Sequence, residues 1–155
     1  MVRRKKRMNN ALKIFVDSDA FVALTVKTDA HHKKVIALLQ DLQERQVVFL
    51  TSNYVFSESI TVISMRASHA IAVAYIDHLQ SLESPFRIKQ IDTTVEEEAI
   101  KIFKEQTSKN TSFIDCTNMA LMKLSAFDAI FSFDEVYRKK GFTLVADLLA
   151  EKQAA

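Results

Sequence analysis

The chain has 155 residues, a length that suits one domain, and 48% of them are hydrophobic, 11 being Phe, so it can bury a sizeable core. Its formal net charge is +2 with 26% charged residues, and no apolar run approaches the ~20 residues that span a bilayer, which argues for no membrane partner. The single glycine excludes Walker-type phosphate loops and dinucleotide fingerprints, which need two or three within a few residues, and the single cysteine excludes an internal disulfide and a Cys-rich zinc site.

No signal-peptide pattern is readable at the start, and a cytoplasmic, reducing setting is expected. Residues 1–11 read as a flexible basic extension around 3-RRKKR-7, a solvated arm or, in the sharper alternative, a nucleic-acid contact; residues 12–155 read as a single domain. Within that domain, 12-LKIFV-16 is a buried-strand run that ends at Asp17, and 19-DAFVALTV-26 is a short helix. Asp29 is the expected cap of the next helix, in which Val35, Ile36, Leu38, Leu39 and Leu42 fall at helical spacing. A second strand, 47-VVFL-50, leads into helices over 53–66 and 69–82. The third strand is 86-FRIKQI-91, and the helix from 92 to 106 opens on Asp92 or Thr93 as its cap. A helix bearing Asp115 comes next, then a fourth strand over 129–133, and a short strand or turn runs into a closing helix over 143–152. Alternating strands and helices predict an α/β fold, an α/β/α three-layer sandwich with a central parallel sheet. Sites in such sheets form outside the carboxyl ends of the strands.

That rule gathers four acids. Asp17 follows the first strand and Asp134 the fourth; Asp115 opens the helix leading into strand four, and Glu58 lies in the helix after strand two. Each is set in apolar sequence, unlike the solvated 96-EEE-98. Four clustered carboxylates repel one another, and a divalent cation relieves this. Oxygen donors without His or Cys suit Mg²⁺ or Mn²⁺. Such an ion serves phosphodiester hydrolysis by metal-activated water, so the pattern points to a nuclease. Taken singly, these acids have structural explanations: Asp115 and Asp134 as helix caps, Glu58 as a partner of Arg66 or another surface base.

The motifs in order resemble the PIN domain, in particular the single-domain ribonuclease toxins of VapC type. They are 14-IFVDSDAFVAL-24, 49-FLTSNYVFSES-59, 112-SFIDC-116 and 132-SFDEVYRKKGF-142, so the resemblance spans about residues 12–145. It implies that Asp17, Glu58, Asp115 and Asp134 are the catalytic, metal-binding acids and that Ser132 hydrogen-bonds among them. Asp115 would help to hold the metal and orient the attacking water. The resemblance also implies an RNA substrate, a cognate antitoxin and a homodimer. Asp19 departs from the Ser or Thr that commonly stands two residues after the first acid; it is expected to cap the helix from 20 onward, or else to add a carboxylate to the site.

Other residues carry less. His31 and His32 are adjacent, about 100° apart on a helix, and with Lys33 and Lys34 read as a solvated face or an RNA-backbone contact. Cys116 reads as a packed side chain. The apolar stripe of Val55, Ile60, Val62, Ile63 and Met65, with Ile71, Val73, Ala74 and Ile76, divides between core and interface. Two competing functions remain at this point: a non-catalytic metal-, RNA- or partner-binding module, and a haloacid dehalogenase-type phosphatase using Asp17 as nucleophile and Asp19 as acid/base.

Overall fold

Strand β1 (Leu12–Val16) is the one around which the sheet is built. The computed structural model of the chain describes residues 11–153; the basic block at 3–7 lies outside them. The elements that follow are α1 (Ser18–Thr25), α2 (His32–Gln43), β2 (Val47–Ser52), α3 (Asn53–Arg66), α4 (His69–Gln80), β3 (Phe86–Lys89), α5 (Thr93–Glu105), α6 (Phe113–Leu124), β4 (Ala129–Phe131), α7 (Glu135–Lys139) and α8 (Val145–Gln153). All strand pairs are parallel, in the order β3-β2-β1-β4.

Successive residues of a strand point to opposite faces of the sheet. Ile14, Phe15 and Val16 are all 0% exposed, so both faces of β1 are covered by helices, and the three-layer expectation holds. Aromatic side chains knit the layers on one side: the Phe21 ring meets Tyr75 and Phe86 edge-on, with centroids 5.7 and 5.1 Å away.

The topology sets the site. The chain steps outward from β1 to β2 to β3, then returns to place β4 on the other side of β1. The order of strands reverses between β1 and β4, where an open α/β sheet forms its crevice. Two bonds hold the carboxyl end of β1: Asp17 N donates to Phe131 O of β4 at 3.1 Å, and Thr51 Oγ1 of β2 donates to Val16 O at 2.8 Å.

Several local expectations shift. Strand three ends at Lys89 and strand four at Phe131, two residues early in each case. The segment after 143 makes only a single bridge, Ile130 to Leu144, before α8. Helix α7 was expected only through the reading of Asp134 as a cap; at five residues it is too short for an apolar period to be read, and Gly141 follows it at φ +86°. Asp92 caps α5 through Val95 N, as one of the two candidates. Asp29 does not cap α2: His31 occupies that position, while Asp29 accepts from His31 N and pairs with Arg66 at 2.7 Å. In the apolar stripe Val55 and Ile63 are buried, but Met65, Ile71 and Val73 are 81%, 42% and 40% exposed.

Candidate active site

Asp17 is the N-cap of α1, immediately beyond β1, and is 5% exposed. Its Oδ1 accepts from Ser18 N at 2.7 Å and from Asn118 Nδ2 at 3.0 Å; its Oδ2 accepts from the Tyr137 hydroxyl at 2.6 Å. Burial raises the Asp17 carboxyl well above its ordinary 3.8, and the charges of Asp19 and Asp115 push the same way, against the pull of the Tyr137 and Ser18 hydrogen bonds.

Asp115 sits one turn into α6. Ser112 is the N-cap: its Oγ accepts from Asp115 N at 3.0 Å, and Asp115 Oδ2 accepts from Ser112 N at 2.8 Å. This capping box fixes the carboxyl group. Its other oxygen, Oδ1, lies 3.1 Å from the Tyr137 hydroxyl. Asn118, three residues further along α6 and therefore on the same face, donates both to Asp17 and, at 2.9 Å, to the Tyr137 hydroxyl oxygen.

Asp134 is exposed and caps α7, accepting from Val136 N at 2.9 Å. Ser132 links it to Asp19: the Ser132 hydroxyl donates to Asp19 Oδ2 at 3.0 Å and accepts from Asp134 N at 3.1 Å. Asp19 is not a helix cap, since α1 already starts at Ser18 under Asp17. Its Oδ2 also takes Phe133 N at 2.7 Å, while its buried Oδ1 finds no hydrogen-bond donor among the described residues. Burial pushes Asp19 up to about 6 despite the Phe133 and Ser132 bonds, with the charge of Asp134 adding to the rise.

The structure therefore joins Asp115, Asp17, Asp19 and Asp134 in a chain of hydrogen bonds and charge contacts across the β1–β4 edge. Glu58 stands apart from that chain: it is half-buried on α3 and makes no hydrogen bond or ion pair with a described residue, Arg66 being taken by Asp29. Among the described residues no group of three or more His, Cys, Asp or Glu side chains is arranged to hold a metal ion. The donors nevertheless fit a hard divalent cation chemically. They are all oxygens, they are partly dry, and Asp19 Oδ1 is an acceptor in want of a positive partner.

Sequence reasoning missed Tyr137 and Asn118. Both are fully buried polar groups, 0% exposed. The available signal was their spacing of three from Asp134 and Asp115 respectively. On the rim, His31 is not merely solvated: its ring stacks on Phe133 at 4.3 Å and 9°, beside the Lys34 ammonium at 5.6 Å from the Phe133 ring, while His32 Nδ1 lies 2.7 Å from Ala23 O. On the other side of Asp134 a polar groove is lined by Ser108, Asn110, Thr111, Lys139 and Lys140.

This chain belongs to the PIN domain family, whose profile its residues 14–143 match. Over 132 residues it is 29% identical to the 23S rRNA-specific endonuclease VapC20 of Mycobacterium tuberculosis, covering 85% of this chain and 97% of that protein. The crystal structure of M. tuberculosis VapC20, described as a sarcin-ricin loop cleaving toxin, superposes with a TM-score of 0.75 at 28% identity, over 84% of this chain and 96% of that one. FitAcB from Neisseria gonorrhoeae shares the fold alone, with a TM-score of 0.54 at 17% identity over 79% and 88%. Membership of the PIN family leaves the dehalogenase-type phosphatase reading without support.

Proposed function

We propose that this chain is a divalent-metal-dependent endoribonuclease that cleaves RNA phosphodiester bonds with activated water, the toxin of a toxin–antitoxin pair. The observation that carries the reading is the meeting of Asp17 and Asp115 on one buried hydroxyl at the sheet's switch point, in a PIN domain. Asp17, Asp115 and Asp134 are the residues that would hold Mg²⁺ or Mn²⁺, with Glu58 as a further catalytic acid and Ser132 and Asp19 in support. A divalent ion bound there supplies the Lewis acidity that makes water a nucleophile at neutral pH and stabilises the departing oxygen.

The protein's own part is placement. The Ser112 box and the Asn118 amide fix two carboxylates that would otherwise repel. Ser132 sets Asp134 against Asp19 by bonding to both. The substrate class we favour is a structured ribosomal RNA loop, on the likeness to VapC20. RNA recognition of this kind rests on shape and unpaired bases. Lys139 and Lys140 in the groove beside Asp134 would meet the flanking phosphates; neither makes an ion pair with a described residue. A cognate antitoxin and a homodimer would use the apolar groups left open, such as Met65, Ile71 and Val73. No described helix is long and apolar enough to cross a membrane, and a cytoplasmic setting suits an RNA substrate.

The test is incubation of the purified protein with a panel of structured RNAs, ribosomal RNA included, in Mn²⁺ or Mg²⁺. EDTA and the Asp115→Asn variant are the controls. Discrete cleavage that needs both metal and Asp115 supports the reading. Cleavage that persists in Asp115→Asn at constant specific activity contradicts it, and metal binding without cleavage of any RNA leaves the non-catalytic module.

A further inference from the structure

The ring of Tyr137 fills core space that a phenylalanine could fill equally well; its hydroxyl does something a core does not need. A carboxylate offers about two lone pairs on each oxygen. Asp17 Oδ1 spends both, on Ser18 N and on Asn118 Nδ2. Asp17 Oδ2 takes the Tyr137 hydroxyl and has one direction left. Asp115 is held less fully: Oδ2 accepts one N–H, from Ser112, and Oδ1 faces the same hydroxyl. The Tyr137 oxygen is itself pinned by the Asn118 amide at 2.9 Å. Reversing that amide would set Asn118 Oδ1 against Asp17, so the electrostatics choose the orientation seen.

We propose that Tyr137 is a positioning residue: its hydroxyl selects Asp17 Oδ2 and Asp115 Oδ1 as the two oxygens presented to the divalent cation, and thereby sets the affinity of the site for metal. This rests on the metal-dependent reading above. The hydroxyl hydrogen goes to Asp17, the shorter contact, and Asp115 Oδ1 lies 3.1 Å from the same hydroxyl oxygen. Asp17 would hold the cation through Oδ2, because its Oδ1 is filled by two N–H groups, while Asp115 Oδ2 keeps one direction open beside the Ser112 N–H. Partners that orient metal ligands in this manner typically change affinity 10- to 100-fold when removed.

The test is Tyr137→Phe, which keeps the ring and removes only the hydroxyl. Mn²⁺ affinity is read by calorimetry on protein shown to be folded by circular dichroism, and RNA cleavage is read alongside. The expected result is about tenfold weaker Mn²⁺ binding, with kcat reduced and KM for RNA unchanged. A filler of the core would lower thermal stability without moving metal affinity, so affinity within about twofold of wild type overturns the proposal. Wild-type protein that binds no Mn²⁺ overturns the metal-dependent reading, and this proposal falls with it; wild-type binding with an unaltered variant overturns the proposal alone. Should the variant not fold, 3-fluorotyrosine protein keeps the hydroxyl. Of its three resonances, assigned with Tyr54→Phe and Tyr75→Phe, Mg²⁺ should move that of Tyr137 alone. A Tyr137 resonance indifferent to Mg²⁺ overturns the proposal.

Discussion

Asp19 is a half-buried acid with one enclosed oxygen, and its consequence is a dependence on pH. Its carboxyl is raised from 3.8 to about 6 in the folded chain, chiefly by burial. Between those values the folded protein keeps a proton that the unfolded chain has released, so acid stabilises the fold and the contribution is lost as pH rises to about 6. Metal-free protein should therefore melt lower at about pH 7 than at about pH 5, and Asp19→Asn should shrink that difference. Mn²⁺ should restore the melting temperature at the higher pH, because metal binding favours ionised ligands. Thermal melts across this range check both; an Asp19→Asn profile identical to wild type would contradict the argument. At this scale the acids Asp17, Asp115 and Asp134 were legible because each interrupts an apolar run at a strand or helix end. Tyr137 and Asn118 were not, because a lone tyrosine or asparagine acquires its role from what the fold sets opposite it. Asp19 was read as a cap since sequence cannot show that Asp17 already holds that place.

Helix α6 ties the stability of the fold to the site. Its first turn is closed by the reciprocal Ser112–Asp115 bonds, so the same contact starts the helix and orients a proposed metal ligand. Ser112→Ala should cost about 1 kcal/mol, lowering the melting temperature by about 2–4 °C in a domain of this size. The Asp115 Oδ2 bond to the backbone N–H of residue 112 survives that substitution, so cleavage should fall because the first turn of α6, which carries Asp115, loosens. Melting curves and initial rates on folded protein measure the two effects; an unchanged rate would mean that Asp115 needs no such support. The long elements were legible through period and capping residues, as β1, α5 and α6 illustrate. Helix α7 was not, yet it carries Tyr137 into the site. Its five residues give no period, and only the Asp134 cap marks its start.

For the whole molecule, the parallel sheet and its switch point explain why residues over a hundred positions apart meet: Asp17 and Tyr137 are 120 apart in sequence. The class of fold followed from the alternation of strands and helices; the strand order β3-β2-β1-β4 did not, because pairing of parallel strands leaves no mark in a single sequence. Charge is divided along the surface beside this crevice. Arg138 is engaged by Glu135 and Asp147, which leaves Lys139 and Lys140 to the groove. The double variant Lys139→Ala/Lys140→Ala should raise KM for RNA and leave Mn²⁺ affinity unchanged. The dependence of binding on salt should be shallower by about 1–2 log units per log unit of salt, near the ~0.7 per phosphate contact of single strands. Binding isotherms at several salt concentrations check this, and an unaltered slope would take the RNA path elsewhere.

The proposed site has Asp17 and Asp115 holding one divalent cation, and anomalous diffraction from crystals soaked in Mn²⁺ reads its position. A manganese peak should appear beside Asp17 and Asp115 and be absent in Asp115→Asn. A peak confined to other residues, or none in protein that binds Mn²⁺ in solution, would contradict it.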